Sequence, residues 1–482
     1  MKNIVGFALA FTSILIFHLQ AHAGAFNKIV MPETSKPNII IMLSDDTNWF
    51  DIGVYDRFYD FTPKNANTPH IDRLASEGLM LTSAFTATAL CSPTRQQLYT
   101  GLFPVRSGAY PQHSDANVGT LSVAHYFQEL GYRVGLAGKR HISPRSVYPF
   151  EYLSEGTKGA DGDATFSLDE VEEFISRDAK EPFFLIIASH NPHGPYNRGD
   201  LSLFPANRLN VPPFLVDTPA MRNELMKYYA EVNDLDNEVG AVDTLLERTQ
   251  TKTNTLFIFT SEQGAGMPFA KYTTYDTGLK TAFIVRWPEH IKPNTHNDAI
   301  VQYVDVVPTL IDAVGGEIPD GLDGTSFLGV LENTTQKHNE YAYGVHTTRN
   351  IHEGSDYPIR SIRDTRYKLI LNLLSENDFS NLLTVNRSSY RGTLGDWQKR
   401  AEAGDKWAQN RIQAYINRPP VELYNIIDDP YELTNLAGQA THKPTIDRLS
   451  THLYAWMESQ GDQGIATELS ACEHTASYKA CP

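Results

Sequence analysis

Five short apolar runs, separated by helical patterns, set the strongest limit on how this chain can fold. They occupy residues 38–43, 132–137, 182–188, 255–259 and 282–287. Their length and lack of alternation read as parallel strands buried on both faces. Helical patterns lie between them, including residues 120–130 and 221–248. Such alternation implies an α/β class: a large, mostly parallel sheet sandwiched by helices. In open sheets of this kind ligands bind beyond the carboxyl ends of the strands. Four of the runs end there in ionisable or metal-competent groups: Ser44-Asp45-Asp46, Gly138-Lys139-Arg140-His141, Ser189-His190-Asn191-Pro192-His193 and Thr260-Ser261-Glu262-Gln263-Gly264. Any one of these is ordinarily a solvated loop. Four at one edge of one sheet read as one site.

A smaller unit follows. Residues 359–364 and 367–373 predict a hairpin around Thr365-Arg366, residues 376–418 are polar and partly helical, 422–425 form a strand, and 445–457 a helix. The expected organisation is a leader over 1–23, the α/β domain over 24–350, and an antiparallel-sheet-plus-helix subdomain over 351–482. The leader is read from Lys2, the apolar stretch 4–17 and the small-residue site Ala21-His22-Ala23, which together resemble a secretory signal. The expectation is an exported chain, periplasmic or secreted, with no membrane anchor. At 482 residues with a formal charge of −16, general nucleic-acid binding is disfavoured. A polyanionic substrate must then meet a local basic pocket. Of three cysteines, Cys472 and Cys481 lie close enough in sequence to pair in an oxidising compartment, leaving Cys91 unpaired.

The chemistry concentrates around that odd cysteine. Asp45 and Asp46 are adjacent carboxylates just after a strand, and a cation between them relieves their repulsion. Glu262 and Gln263 add oxygen ligands from another strand end. Oxygen ligation indicates a hard cation, calcium ahead of magnesium or manganese. Cys91 opens the run Cys91-Ser92-Pro93-Thr94-Arg95-Gln96-Gln97-Leu98-Tyr99-Thr100-Gly101. A phosphatase-type loop would need arginine where Gln97 stands.

This run resembles the signature of the type I sulfatases, of the alkaline-phosphatase-like superfamily. Nearly the whole mature chain shares the likeness: Asp45-Asp46, the Gly-Lys-x-His element with Lys139 and His141, His193 after the third strand, and Lys271 before Tyr275-Asp276-Thr277-Gly278. Leu423-Tyr424-Asn425 and Asn435-Leu436-Ala437 resemble the family's C-terminal domain. The resemblance implies that a maturation enzyme oxidises Cys91 to formylglycine. One hydroxyl of the hydrated aldehyde then attacks sulfur, and the other restores the aldehyde and expels sulfate. It implies that Asp45, Asp46, position 91, Glu262 and Gln263 hold the cation. Lys139 and Lys271 would neutralise the sulfate oxygens and Arg95 would hold the hydrate. His193 would protonate the leaving oxygen, and His141 would take the proton whose loss releases sulfate. His190 is a weaker candidate. The sequence departs from the family at Glu262-Gln263, where aspartate followed by asparagine or histidine is usual.

The expected substrate is a sulfated carbohydrate, in feel that of sulfamidase-like and ulvan-type polysaccharide sulfatases. His346, Arg349, His352 and Arg360 are candidate contacts to the sugar. Three alternatives remain: a sulfamidase cleaving N–S, a phosphonate or phosphodiester hydrolase with the same nucleophile, and a sulfated-glycan binding protein without turnover.

Overall fold

The computed structural model describes residues 36–153, 166–349, 354–384 and 391–475. Among the described residues nine strands form the main sheet: β1 (Asn38–Ser44), β2 (Leu79–Phe85), β3 (Arg133–Gly138), β4 (Glu151–Leu153), β5 (Phe183–Ala188), β6 (Thr255–Ser261), β7 (Lys280–Arg286), β8 (Thr295–Asn297) and β9 (Val301–Gln302). Their order is β4-β3-β5-β1-β6-β7-β2-β8, with β9 also on β2. The central strand β1 is parallel to both β5 and β6, Ile39 facing Phe184 on one side and Leu256 on the other.

Both faces of the sheet are dry, which explains the unalternated apolar runs. On one face Ile40, Met42, Leu185, Ile187, Phe257 and Phe259 pack with the long helix Pro219–Arg248, which contributes Tyr228, Val232 and Leu235. On the other, Ile39, Ile41, Leu43, Phe184 and Ile186 pack with Phe127 of Val123–Glu129 and Leu310 of Val306–Ala313.

One strand direction differs from expectation. The run at 282–287 belongs to β7, which is antiparallel to β6 and to β2. After β6 the chain turns at the carboxyl edge through the four-residue helix Asp276–Leu279 and re-enters the sheet there. Without a crossover to the opposite edge, the returning strand has to run backwards. β2, which the apolar pattern did not single out, reverses direction again relative to β7. Its carboxyl end therefore reaches the catalytic edge and delivers Cys91 there.

The second sheet is antiparallel throughout: β10 (Ala342–His346), β11 (Ile359–Arg363), β12 (Tyr367–Asn372) and β13 (Val421–Asn425), in that order. The helix Lys443–Ser459 covers it through Leu449, Leu453, Trp456 and Met457, against Ile362, Leu369 and Leu423. Buried polar bonds fasten the two sheets. Glu422 accepts from Tyr275 Oη at 2.8 Å, and Asp276 pairs with Arg363 at 2.5 Å and Lys368 at 2.7 Å. From Lys36 onward the chain groups as one compact unit. No helix among the described residues is long and apolar enough to cross a membrane. The leader expected at 1–23 lies outside the described residues. Cys91 is a buried free thiol, whereas Cys472 is disulfide-bonded. Cys481, its expected partner, lies outside the described residues.

Candidate active site

Backbone bonds between strand ends assemble the site. The Asp45 N–H donates to Asn191 O, Lys139 N–H to Ala188 O, Ser189 N–H to Leu43 O and Glu262 N–H to Ser44 O. All four polar loops are thus sewn together at one edge. Gly138 has φ +83, and a Cβ there would stand 2.2 Å from Ala188 O, so only glycine lets Lys139 leave β3 at that angle. Asp46 holds a left-handed φ of 58, a conformation uncommon outside glycine and asparagine-like residues. That turn allows consecutive carboxylates to converge instead of pointing apart.

Cys91 is the first residue of a helix, Cys91–Thr100, whose every residue is buried. The helix closes at Gly101, φ +69, whose N–H caps Gln97 O. Gln97 also explains its place in the motif: its Oε1 accepts from Ala87 N at 3.0 Å and Thr86 Oγ1 at 3.1 Å, pinning the loop between β2 and the helix. The cysteine sulfur then lies 3.7 Å from Asp45 Oδ1, 3.9 Å from Asp46 Oδ1 and 3.4 Å from Gln263 Nε2.

Around this sulfur stand three carboxylates and three cations. Arg95 Nε is 2.6 Å from Glu262 Oε2, and its Nη2 is 3.8 Å from Asp45 Oδ2. Lys139 Nζ is in contact with Asp45 Oδ2. Lys271 Nζ lies 2.6 Å from Asp46 Oδ2. Burial would raise the Asp45 carboxyl, but Lys139 foremost, then His193, a bond with Glu262, and Arg95, hold it well below the carboxylate range. Glu262 goes the other way. Burial drives it well above its usual value, and Asp45 and Cys91 add to the rise against the pull of Arg95. Two carboxyl groups with opposed shifts are competing for positive charge.

Ligand atoms of Asp45, Asp46, Cys91 and Glu262 all lie within 4.8 Å of one another. Gln263 Oε1 is a buried acceptor with no hydrogen-bond partner, while its Nε2 bonds Asp46 and Glu262, each at 2.7 Å. Turning the amide over would aim that oxygen into the same space. The donor set therefore fits a hard divalent cation, with the longer Glu262 and the amide of Gln263 in reach of it.

The histidines flank this cluster. His193 Nδ1 bonds Gly194 O at 2.8 Å, which leaves Nε2 facing Asp46 Oδ2 at 3.8 Å. Burial first, then Lys139, lowers its pKa below 6.5. His190, the weaker candidate, is equally close: its Nδ1 lies 3.9 Å from Asp45 Oδ2, and Asp45, His190 and His193 form a second potential ligand group. His141 Nε2 meets His113 Nδ1 at 2.8 Å, and its own Nδ1 is buried without a partner. Burial, then Lys139 and His113, hold His141 well below 6.5. His113 was not foreseen. It stands in a Pro-Gln-His stretch with no periodic signal, and only the left-handed φ of 60 there and 48 at His141 marks the pair as specially held.

Of the four sugar-contact candidates, the three described ones have partners within the protein. Arg360, fully buried, is held by Asp462, with Nη2 2.8 Å from Oδ1, and by the carbonyls of His346 and Ile359. His346 is buried edge-on to Phe379. Arg349 pairs with Asp356 at 2.9 Å. His352 lies outside the described residues.

Comparison with known proteins agrees with this geometry. Residues 37–316 match the sulfatase family, and residues 264–387 match the C-terminal domain of N-sulphoglucosamine sulphohydrolase. The chain is 34% identical over 442 residues to an ulvan-active sulfatase of Formosa agariphila, spanning 89% of this chain and 81% of that protein. It is 27% identical over 498 residues to human N-sulphoglucosamine sulphohydrolase, spanning 92% and 94%. Among solved structures, a protein bound to its substrate D-glucosamine-2-N,6-O-disulfate superposes with a TM-score of 0.66 at 20% identity, covering 89% of this chain and 99% of that one. The phosphonate monoester hydrolase of Silicibacter pomeroyi superposes with a TM-score of 0.65 at 16% identity, covering 89% and 96%. Likeness at that identity establishes the shared fold. The match over 37–316 and the 34% relative establish more: this chain belongs to the sulfatase family and is a sulfuric ester hydrolase.

Proposed function

We propose that the protein is an exported sulfatase that removes sulfate esters from a carbohydrate, a sulfated polysaccharide of ulvan type or its oligosaccharides. One observation carries the reading: Cys91 heads a buried helix where three carboxylates and the cations Arg95, Lys139 and Lys271 converge. Similarity to an ulvan-active sulfatase over most of both chains supports the substrate class. The leader-like start supports export.

Position 91 is read as formylglycine, installed by a maturation enzyme; its hydrated aldehyde supplies both a nucleophilic oxygen and a route for sulfate to leave. Asp45, Asp46, Glu262, Gln263 and position 91 would hold the cation, calcium by the irregular oxygen-rich set, which supplies Lewis-acid charge stabilisation. Lys139 and Lys271 bind the sulfate oxygens. Their ammonium groups are held charged, because Asp45 and Asp46 overcome the effect of burial. Arg95, anchored on Glu262, orients position 91 and faces the charge that develops on transfer. The macrodipole of this helix favours the same anion, although its first-turn donors are committed: Ser92 N–H donates to Gln112 Oε1 at 3.3 Å, Thr94 N–H to Leu90 O, and Pro93 carries none.

The two histidines divide the proton work. His193 donates from Nε2 to the leaving oxygen, its Nδ1 being occupied by Gly194 O. His141, held neutral, accepts a proton at the unpartnered Nδ1 when sulfate is expelled. Burial first, then Lys139, lowers both imidazoles, so each is held toward its neutral form before substrate binds.

A second reading, cleavage of an N-sulfo bond, is favoured by the match of residues 264–387 to the sulphoglucosamine sulphohydrolase C-terminal domain. The test is free sulfate released from O-sulfated polysaccharides, their oligosaccharides and N-sulfated glucosamine. Release from O-sulfated chains alone supports the first reading. Release only from the N-sulfated sugar replaces it with the second.

A further inference from the structure

A cavity of about 420 Å³ opens between the two sheets, and none of the site residues named above lines it. Trp49, Phe58, Tyr59 and Phe61, from the segment after β1, form one wall, and Ile427, beyond β13, faces them. The mouth is apolar and open: Phe58 is 45% exposed, Phe61 38% and Ile427 63%. Exposed rings clustered at a cavity of this size mark a binding surface more often than a structural need.

At the base sits Lys280, 9% exposed. Among the described residues no hydrogen bond or ion pair engages its ammonium. Nζ lies over rings instead, 3.8 Å from the Trp49 centroid and 4.9 Å from that of Tyr59. Two carboxylates nearby act against the effect of burial on this amine, though each also has another partner. Asp276 is divided between Arg363 and Lys368, and Asp298, at the rim, accepts from Thr82 Oγ1 at 2.5 Å. Burial, then Arg363, pulls the Lys280 amine down to about 7. Burial and Arg363 outweigh Asp276 and Asp298 in disfavouring the charged amine, which a further anion in the cavity would stabilise.

We infer that this cavity is a second saccharide site, which takes a sugar residue bearing a carboxylate or a sulfate, stacks its apolar face on the rings and pairs its anion with Lys280. Aromatic walls with Lys280 beside the Asp276-paired Arg363 are the complement of such a residue: C–H faces against π-systems, and positive charge to fix orientation. The saccharide identity rests on the polysaccharide reading above. Binding is measured without turnover, so failure of binding and failure of sulfate release are separate results.

The experiment uses the full chain carrying Cys91→Ala and titrates it calorimetrically with two probes. One is an unsulfated hexuronate oligosaccharide and the other a sulfated oligosaccharide free of uronate. Lys280→Met removes the charge at similar volume. Phe61→Ala, at an exposed position, keeps the test valid if the buried substitution unfolds, and melting temperatures show which variants are folded. The expected result is saturable binding of at least one probe, weakened tenfold or more by either folded variant; the probe that binds names the anion. The inference is overturned if neither probe binds, if both folded variants bind as the parent does, or if only Lys139→Met weakens binding, which would put the ligand at the catalytic cluster.

Discussion

Replacing Glu422 by glutamine should loosen the clasp between the two sheets by an amount that can be worked out. Its carboxylate accepts from Arg418 Nε at 2.9 Å, Asn372 Nδ2 at 2.6 Å, Tyr275 Oη at 2.8 Å and Tyr424 Oη at 2.6 Å. Arg418 and Glu422 are both buried. Glutamine keeps the shape but removes the charge and one acceptor, so a buried guanidinium loses its counter-ion. Breaking such a pair from one side costs about 3–5 kcal/mol, and retention of one amide oxygen puts this case near ~3. At about 1 °C per kcal/mol for a cooperative unit as long as the one from Lys36 onward, the melting temperature should fall by roughly 3 °C at pH 7. The sign of the pH effect is also determined. Burial raises the Glu422 carboxyl, but Arg418 and the hydroxyl and amide bonds outweigh it, leaving it below the ordinary value of 4.5. Its contribution is therefore present above 4.5 and is lost as pH falls through the lower folded-state value. Thermal unfolding of parent and variant at stepped pH should show a gap that is constant near neutrality and closes in acid. A gap below about 1 °C at pH 7, or one that widens in acid, would refute the reasoning.

Three further predictions concern the site. Lys271→Met removes one of the cations facing the sulfate and should lower kcat/KM by about 10²–10³ in sulfate-release kinetics; a change under threefold would contradict its role. His193 titrates below 6.5, so as a catalytic acid it makes kcat/KM rise as pH falls through that region. His193→Ala should flatten this limb, and a profile with the same limb in the variant rules the assignment out. Chelation should abolish sulfate release and lower the melting temperature, with calcium restoring both better than magnesium or manganese. Full activity in chelator, confirmed metal-free by elemental analysis, would remove the cation from the account.

The parallel core was legible because strands buried on both faces must be continuously apolar, and residues 38–43 and 182–188 are. The direction of β7 was not, since apolarity marks burial but carries no sign of travel; the short Asp276–Leu279 turn sets that, and it has no periodicity to read. β2 was missed for a related reason: Thr82 and Ser83 interrupt its apolar pattern. At the site, residues at strand ends were readable because the sheet rule places them. Asp45, Lys139, His193 and Glu262 come together as that rule requires. His113 reaches His141 from a loop that no strand positions, and so leaves no mark in sequence. Arg360 was a candidate sugar contact from its place at the expected junction of the two units and from the family resemblance there. Its partner Asp462 is 102 residues away, a pairing that only the fold creates.

The most direct test of the account is position 91 itself. Protein co-produced with a formylglycine-generating enzyme would be split into two samples, one for peptide mass analysis across Cys91 and one for sulfate release, with Cys91→Ala alongside. The account predicts an aldehyde at position 91, sulfate release that scales with the aldehyde fraction, and none from the variant. Sulfate release from Cys91→Ala, or from protein whose Cys91 is wholly unmodified, would contradict it.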